Sequence, residues 1–374
     1  MKNMKNEKKL IAVVTNNDDD IYCFRKELVE ELIGAGYEVL ISCPYGRKFE
    51  LIKDIPYKYD NPEIDRRGTN IIADFKLLVH YLNMLRKYRP DVVLTYTAKP
   101  NVYCGIAAYL LKIPVISNVT GFGSVLNKTG LVQKLIMGLF KFAFRKSACV
   151  MFQNSTNMKL AKESGMVTGD CVLIPGSGVN TQRYPYATYP DDCNGIVFNY
   201  IGRILHDKGV DDYIEAAKCI KQKYPQTQFN MLGFIEPTEM HYKEQLENLE
   251  KQGIIKYHGS MDDVRPLIAA SHATIHPSTY GEGMSNVLLE SASSGRPIIS
   301  TDNPGCMETF IDNETGFMYH GGDVDELCRK IEQFIALSND ERKTMGEKGR
   351  KYIEENFSRK IVTDEYLKKI NELI

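Results

Sequence analysis

Residues 281–290 combine glycines, a serine and two glutamates in the turn between an apolar strand and an apolar helix. The segment reads Gly-Glu-Gly-Met-Ser-Asn-Val-Leu-Leu-Glu. Gly281 and Gly283 let the backbone approach a ligand closely, and Ser285 is suited to cap the helix. The amides of residues 283–287 would then point out of a helix N-terminus, where a phosphate is favoured. The segment therefore predicts a site for a phosphorylated ligand.

The two glutamates of this segment are eight residues apart in the sequence. In a continuous helix this spacing would separate Glu282 and Glu290 by ~12 Å. The paired carboxylates of a glycosidase lie about 5–9.5 Å apart, so the spacing argues against a hydrolase. It suits two carboxylates that contact different parts of one long ligand. For the segment alone, a capped helix with two solvated glutamates is the structural alternative.

A second segment, Gly202–Gly209, carries two basic residues directly after the apolar strand 196–201. Arg203 offers a planar fork of donors and Lys208 a point charge, and both groups suit a diphosphate. Fixed cations lower the barrier of a transfer reaction in which negative charge accumulates on a leaving diphosphate. Taken alone, an arginine and a lysine in a surface loop are usually just solvated. The interpretation therefore depends on both segments belonging to one domain.

With these two segments the chain resembles the family 4 retaining glycosyltransferases, which have the GT-B fold. The Glu282–Glu290 spacing matches the E-x7-E motif of that family, and Gly202–Gly209 is similar to its Arg/Lys diphosphate loop. Residues 300–308 resemble the stretch that leads to a glutamate after a glycine turn. The resemblance covers essentially the whole chain and is strongest over residues 196–310.

The N-terminal half resembles a narrower group within this family. Its segments Ile21–Arg25, Ala98–Asn101 and Thr120–Ser124 are similar to bacterial enzymes that extend lipid-linked glycans, often with N-acetylhexosamines. Such glycans are precursors of capsule, O-antigen or N-glycan. The resemblance therefore implies a nucleotide-sugar donor, with UDP as carrier of a hexose or N-acetylhexosamine, and a polyprenyl diphosphate-linked acceptor.

The resemblance also implies a role for each matching residue of the C-terminal half. Arg203 and Lys208 should hold the diphosphate, and Glu282 should bind sugar hydroxyls near the reacting carbon; these are the expected catalytic residues. Glu290 should accept hydrogen bonds from the ribose, and the turn 258–261 should pack against the base. The other residues expected at the donor site are Gly202, Gly259, Ser260, Met261, Gly283, Met284, Ser285, Asn286 and Val287.

The N-terminal half is expected to bind the acceptor. Many family members have a histidine after a middle strand of this half, whereas this chain has Thr120. The first turn, residues 16–20, replaces a glycine-rich loop of the family, so asparagine side chains there would contact ligand. The residues expected on the acceptor side are Asn16, Asn17, Tyr22, Arg25, Lys99, Asn101, Thr120, Gly121, Phe122 and Gly123.

By resemblance the anomeric configuration is kept, and the donor phosphate helps to take the acceptor proton. No carboxylate nucleophile is therefore assigned. Asp18–Asp20 and Asp191–Asp192 are interpreted as loop charges, so neither a metal nor another cofactor is expected.

The elements that must position these residues alternate between strand and helix in two successive blocks. Continuous apolar runs separated by helices predict α/β domains with parallel sheets covered on both faces. We expect two doubly wound, Rossmann-like domains that face each other across a cleft, residues 1–188 and 189–357, since such sheets bind ligands beyond the carboxyl ends of their strands. By resemblance, a last helix at about 358–374 packs on the first domain. The predicted strands are 10–14, 38–42, 91–96, 115–118, 149–153, 172–175, 196–201, 228–232, 254–258, 273–277 and 297–300.

Length, charge and cysteine content agree with an intracellular enzyme. The 374 residues are enough for two domains, and the net charge of −1 gives no footprint for nucleic acid. The nine cysteines show no metal-ligand spacing and are interpreted as reduced thiols. No apolar run approaches the ~20 residues that span a membrane.

One stretch, Lys128–Lys146, is rich in both apolar and basic residues and contains no acid. Such a helix can lie in an anionic membrane interface, which would make the protein cytoplasmic and peripheral on the inner face of the cell membrane. A core helix with a solvated basic edge is the alternative.

Two further functions share these features. A nucleotide-sugar epimerase can have the GT-B fold but needs no lipid-facing surface. A non-catalytic nucleotide-sugar binder would tolerate the loss of Glu282, which is present here.

Overall fold

The computed structural model describes residues 8–65, 68, 70–122 and 131–374. Gly123, expected on the acceptor side, and Lys128, the first residue of the basic stretch, lie outside these ranges. The chain divides into two compact units, Met1–Ser177 with Lys360–Ile374, and Gly178–Arg359.

The unit boundary lies earlier in the chain than the predicted domain boundary after residue 188. Residues 178–188 belong to the second unit. Arg296, a buried residue of that unit, donates hydrogen bonds to the carbonyl oxygens of Ala187 and Thr188. These bonds fix the connecting stretch to the second unit.

In the described part of the chain the strands form two parallel sheets, in the orders β3-β2-β1-β4-β5-β6-β7 and β10-β9-β8-β11-β12-β13 once the strands are numbered along the chain. The first sheet contains β1 (Leu10–Val14), β2 (Glu38–Ser42), β3 (Lys58–Asp60), β4 (Val92–Tyr96), β5 (Val115–Val119), β6 (Cys149–Phe152) and β7 (Asp170–Leu173). The second contains β8 (Val197–Ile201), β9 (Gln228–Leu232), β10 (Lys256–Tyr257), β11 (Ala273–His276), β12 (Ile298–Thr301) and β13 (Gly316–Tyr319).

The helices follow the strands along the chain. Two π-helical turns, Ile21–Arg25 and Pro100–Cys104, lead into the second and fourth helices, and His206–Lys208 forms a 3₁₀ turn. The α-helices are α1 (Asp18–Asp20), α2 (Lys26–Gly34), α3 (Ile71–Tyr88), α4 (Gly105–Leu110), α5 (Leu131–Lys146), α6 (Ser155–Glu163), α7 (Val210–Lys223), α8 (His241–Lys251), α9 (Arg265–Ala269), α10 (Asn286–Ser293), α11 (Val324–Ala336), α12 (Asn339–Asn356) and α13 (Arg359–Leu373).

The predicted fold class, two α/β units with doubly wound parallel sheets, is confirmed. In each sheet the strand order reverses between the first strand of the unit and its fourth, the switch point at which such folds bind ligands. In the second unit this point lies between β8 and β11, which pair through Phe198 and Ala273. The loops that follow β8 and β11 are therefore neighbours.

The cores lie on both faces of each sheet, as continuous apolar strands require. In the second unit one face packs Phe198 and Phe229 against Phe334 of α11, and the other packs Ile298 against Leu288 of α10. Full burial of such side chains contributes about 1.5–3 kcal/mol each. The switch-point loops are thus carried by rigid strands.

The predicted turn at residues 16–20 is wrong for its last three residues, whereas Asn16 and Asn17 lie before the helix. Asp18–Asp20 forms the first helical turn, because the Asn17 side chain accepts a hydrogen bond of 2.8 Å from the Asp20 amide and caps it. Acidic residues also favour the N-terminus of a helix. The helix therefore begins six residues before Phe24, where its apolar pattern starts.

Candidate active site

Gly209 brings the basic loop after β8 against the loop after β11. Its φ is +71°, and a Cβ there would lie 2.1 Å from the carbonyl oxygen of Pro277. The Thr279 amide also donates a hydrogen bond of 3.0 Å to the carbonyl oxygen of Asp207. Only glycine permits both this backbone conformation and this approach. The two segments that the sequence singled out therefore meet at the switch point.

Lys208 and Glu282 form an ion pair across this junction, with Nζ donating to Oε1. The side chains are only 11% and 13% exposed. Ser278 Oγ lies 3.3 Å from the same carboxylate oxygen. Burial alone would raise the pKa of Glu282, but the Lys208 charge beside it holds that pKa well below its usual range. Glu282 is therefore an ionised carboxylate at neutral pH.

His276, the last residue of β11, is a site residue that the sequence analysis missed. Its Nε2 lies 3.7 Å from Glu282 Oε1 and 3.2 Å from Ser285 Oγ, and the ring is 3% exposed. Burial lowers the pKa of His276, so the ring is neutral near pH 7. A neutral imidazole that donates from Nε2 can support the Glu282 carboxylate. Its position at the carboxyl end of a strand was the available signal.

Ser285 lies at the predicted N-cap position of α10, but the predicted capping hydrogen bond from its side chain is wrong. Its hydroxyl contacts His276 and makes no hydrogen bond to an α10 amide. Its amide donates to the Gly305 carbonyl oxygen at 2.7 Å, so it does not join the predicted set of ligand-facing amides. Met284 is buried among apolar side chains of the second unit and contributes to packing. Asn286 and Val287 are half-buried.

Arg203 is held between a carboxylate and an aromatic ring. Its Nη1 donates a hydrogen bond of 2.8 Å to Oε1 of Glu236, and its guanidinium lies 5.5 Å from the Tyr280 ring centroid. Lys208 Nζ lies 4.9 Å from the same centroid. Arg203 and Lys208 are therefore not solvated loop cations. Neither Glu236 nor Tyr280 is a residue for which the sequence motifs predict a role.

Glu290 is half-buried, so the alternative of two solvated glutamates is wrong for it as well as for Glu282. Burial raises the pKa of Glu290 to about 7, while the hydrogen bond with Tyr184 and the charges of Arg359 and Arg183 act in the opposite direction. Glu290 can therefore exchange a proton near physiological pH.

The turn 258–261 lies beside the loop after β9, which in turn lies beside the loop after β8. The Gly259 carbonyl oxygen accepts a hydrogen bond of 2.8 Å from the Gly233 amide, and the Gly202 amide donates to the Leu232 carbonyl oxygen at 2.9 Å. Ser260 and Met261 are exposed. The structure thus brings Gly202 and Gly259 to the same sheet edge as Arg203.

The residues expected on the acceptor side fall into two groups in the first unit. Asn16, Asn17 and Lys99 follow β1 and β4, the strands at its switch point, and are half-buried. The Asn17 amide group donates to Asn16 Oδ1, and Lys99 Nζ forms an ion pair of 2.6 Å with Asp74. The other half-buried residues of this set are Tyr22, Thr120 and Gly121.

Arg25, Asn101 and Phe122 are buried, so their side chains contribute to packing and are not available to an acceptor. The Arg25 guanidinium stacks 4.0 Å from the Tyr96 ring centroid. Asn101 Nδ2 donates to the Asn118 carbonyl oxygen at 2.8 Å. The expectation that these three side chains contact an acceptor does not agree with their burial.

The interpretation as loop charges is confirmed for Asp191 and Asp192, which are exposed residues of a loop, but it is wrong for Asp18–Asp20, which form α1. Asp20 is buried and accepts a hydrogen bond of 2.6 Å from Thr15 Oγ1, whereas Asp192 forms an ion pair with the buried Arg342. Both carboxylates therefore stabilise local structure. Among the described residues there is no group of three or more His, Cys, Asp or Glu that could hold a metal ion.

Two family models match the chain. The model "Glycosyl transferase 4-like" matches residues 11–154, and "Glycosyl transferases group 1" matches residues 191–352. Together they match most of both units, and the second match includes both site segments. The chain is a family 4 glycosyltransferase.

Curated relatives of this glycosyltransferase agree with the family. The capsular polysaccharide biosynthesis glycosyltransferase CapM of Staphylococcus aureus is 24% identical over 80% of this chain and 81% of its own. The N,N'-diacetylbacillosaminyl-diphospho-undecaprenol alpha-1,3-N-acetylgalactosaminyltransferase of Campylobacter jejuni is 25% identical over 86% and 88%. An Escherichia coli UDP-Gal:alpha-D-GlcNAc-diphosphoundecaprenol alpha-1,3-galactosyltransferase is 26% identical over 71% of each chain.

Solved structures confirm the GT-B fold of the glycosyltransferase. A glycosyltransferase from Rickettsia africae has a TM-score of 0.80 at 19% identity and covers 98% of this chain and 99% of its own. HepE from Anabaena, in complex with UDP and glucose, has a TM-score of 0.77 at 17% identity and covers 97% and 100%. In the part of the glycosyltransferase that the structure describes, no helix is both long and apolar enough to cross a membrane.

Proposed function

We propose that this glycosyltransferase moves a hexose or N-acetylhexosamine from a UDP-sugar to a lipid-linked glycan, with retention of the anomeric configuration, in surface polysaccharide synthesis. The observation that carries the proposal is the meeting of Lys208, Arg203 and the ionised Glu282 at one switch point. A nucleotide diphosphate sugar is a ligand that needs both kinds of group, because its diphosphate is anionic and its sugar hydroxyls donate hydrogen bonds.

The roles of the side chains follow from their charges. Lys208 and Arg203 bind the diphosphate and stabilise the negative charge that grows on it as the glycosidic bond breaks. Glu282 accepts hydrogen bonds from sugar hydroxyls and orients the reacting carbon. His276 Nε2 and Ser278 Oγ lie 3.7 Å and 3.3 Å from Glu282 Oε1 and help to keep this carboxylate in position. The acceptor hydroxyl oxygen bonds to the anomeric carbon on the same face from which the UDP leaves, and a diphosphate oxygen takes the hydroxyl proton, so neither an enzyme nucleophile nor an enzyme base is needed.

The carrier nucleotide is proposed as UDP. The E. coli relative is named for UDP-Gal, and HepE was solved with UDP. In this chain the turn 258–261 packs beside the base, and Glu290 accepts hydrogen bonds from the ribose hydroxyls. The position of the turn is supported by the hydrogen bond that fixes Gly259 to the loop after β9. The role of Glu290 is supported by its pKa of about 7, because hydrogen bonds from ribose hydroxyls would favour the ionised carboxylate.

The acceptor is proposed as a sugar on a polyprenyl diphosphate. Two curated relatives carry a diphospho-undecaprenol acceptor in their names. In the first unit, Asn16, Asn17 and Lys99 follow the strands at the switch point and offer amide and ammonium donors to such a ligand.

Peripheral contact with an anionic membrane on the cytoplasmic side is part of the proposal. Helix α5 buries Phe140 and Phe144 in the first unit but leaves Leu135 and Phe142 60% and 44% exposed. The Phe142 ring packs against the exposed Tyr109 of α4 at 5.9 Å. The exposed basic side chains around them are Lys112, Lys134, Arg145 and Lys146.

A second exposed apolar stripe supports the same contact. On α3, Ile71, Ile72, Phe75 and Val79 lie on one side of the helix and are 78%, 69%, 64% and 38% exposed. Side chains of this size are costly to leave in water and suit a lipid interface.

The proposal is tested with a panel of nucleotide sugars, each incubated with and without a polyprenyl diphosphate-linked sugar. We expect release of UDP from one donor only when the acceptor is present, with the α-linked donor sugar giving an α-linked product by NMR. Release that is equally fast without lipid-linked acceptor, or a product of inverted configuration, would contradict it.

A further inference from the structure

We infer that Glu236 is a positioning residue of this transferase, which fixes the Arg203 guanidinium where the donor diphosphate binds. The inference rests on the proposed donor site. Glu236 lies in the loop after β9, and its Oε1 accepts a hydrogen bond of 2.8 Å from Arg203 Nη1. The Glu236 side chain is 2% exposed whereas that of Arg203 is 33% exposed. Arg203 is therefore accessible to a ligand, whereas the buried Glu236 carboxylate is not and acts on that ligand through Arg203.

The backbone fixes Glu236 relative to Arg203. Ile204 follows Arg203, is fully buried, and its amide donates to the Phe234 carbonyl oxygen at 2.9 Å. The Glu236 amide in turn donates to the Ile204 carbonyl oxygen at 3.2 Å. The loops after β8 and β9 are thus joined side by side, and the carboxylate cannot move away from the guanidinium independently.

Two other contacts complete the support of Arg203. Its own carbonyl oxygen accepts a hydrogen bond of 2.8 Å from the Tyr200 hydroxyl. The Tyr280 ring approaches the guanidinium from the loop after β11. The side chains of Glu236 and Tyr280 engage only part of the five N–H donors of the guanidinium, so the remaining donors can serve a diphosphate.

The ion pair reduces the entropic cost of binding the diphosphate. A free arginine side chain loses rotamer freedom when it binds a ligand, whereas an arginine in a preformed ion pair has already lost that freedom during folding. A fully buried carboxylate is costly unless it is paired, so the Glu236 charge also keeps Arg203 from leaving the site. Glu236 therefore raises donor affinity although it reduces the net positive charge of the site.

The inference is tested by steady-state kinetics of Glu236→Gln, Glu236→Asp and Glu236→Leu in the wild-type and Arg203→Met backgrounds. We expect Glu236→Leu to raise the donor KM about tenfold, the scale of one charge-assisted hydrogen bond. Glu236→Gln keeps an acceptor oxygen and should stay within about threefold of wild type. Glu236→Asp keeps the charge but withdraws the carboxylate by one methylene, so it should raise KM several-fold.

The Arg203→Met background separates positioning from stability. If Glu236 acts through Arg203, replacing Glu236 has no further effect on KM in that background. An equal KM increase in both backgrounds, or an unchanged KM in Glu236→Asp, would overturn the inference while leaving the donor site intact. An unchanged KM in Arg203→Met alone would instead overturn the proposed donor site.

Discussion

Lys208 and Glu282 lie 74 residues apart in the chain, and their side chains form an ion pair at the switch point of the second sheet. The pair joins a group proposed to bind the donor diphosphate with one proposed to bind the donor sugar. Gly209 makes the pair possible, because it lets the loop that carries Lys208 touch Pro277. The local backbone and the proposed chemistry thus depend on the same junction.

Affinity for UDP is predicted to rise with pH through Glu290. Burial raises the pKa of this carboxyl to about 7, and ribose hydroxyls donate to its ionised form. Binding therefore lowers this pKa, and each unit of lowering corresponds to about tenfold tighter binding at high pH than at low pH. Calorimetric titration of UDP between about pH 6 and pH 8 should show this increase. Glu290→Gln should reduce the increase to the part contributed by the terminal phosphate of UDP, which itself titrates at about pH 6, and an identical pH slope in that variant would exclude the role of Glu290.

Gly209→Ala is predicted to damage both stability and transfer. The new Cβ would meet the Pro277 carbonyl oxygen at 2.1 Å, in addition to the strain of a φ of +71°. Gly253→Ala is the matched control, because its φ is +69° but no atom lies within 4 Å of the added Cβ. The control should lose about 1 kcal/mol of unfolding free energy and keep its activity. Gly209→Ala should lose more, together with transfer. Equal denaturation midpoints and equal rates would refute the close approach.

Vesicle binding is predicted to depend on α5. Replacing Leu135 and Phe142 by glutamate should release the protein from vesicles that contain anionic lipid, since it removes apolar surface and adds negative charge. The control, Met240→Glu with Ile311→Glu, makes the same charge change at exposed apolar positions of the second unit. Sedimentation with vesicles should show that high salt weakens wild-type binding. Equal loss in both double variants would contradict the assignment to α5.

Chelator is predicted to leave transfer unchanged. The proposed site stabilises the diphosphate with Arg203 and Lys208, so it needs no divalent cation for that purpose. Activity should be the same after exhaustive dialysis against EDTA as before, and added Mg²⁺ should not stimulate it. A loss of activity that Mg²⁺ or Mn²⁺ restores would contradict this.

Apolar runs were enough to predict most of the fold. Strands such as Leu10–Val14 and Gln228–Leu232 have the predicted bounds, because buried parallel strands are continuously apolar. The edge strands β3 and β13 were missed, since Lys58–Asp60 is short and polar and Gly316 begins the other. Such strands are defined by pairing with a neighbour and not by their own composition.

Motif spacing located the proposed donor site but not the groups that support it. Glu282 and Lys208 were found because their loops directly follow predicted strands and match motif spacings. Glu236 and His276 were missed, because each acts on a motif residue only after the chain has folded. Arg25 was overassigned, since a match in sequence does not reveal that its side chain is buried.

The most direct test of the central claim is the acceptor-dependent rate of UDP release by Glu282→Ala and Lys208→Ala. Glu282→Ala should abolish transfer while the fold is retained by circular dichroism. Lys208→Ala should raise the donor KM and lower kcat, because the leaving diphosphate loses a cation. The control is Glu215→Ala with Lys218→Ala, which removes an exposed ion pair of 2.7 Å on α7 and should leave the rate unchanged. Near-normal rates in both site variants would contradict the assignment of this junction as the donor site.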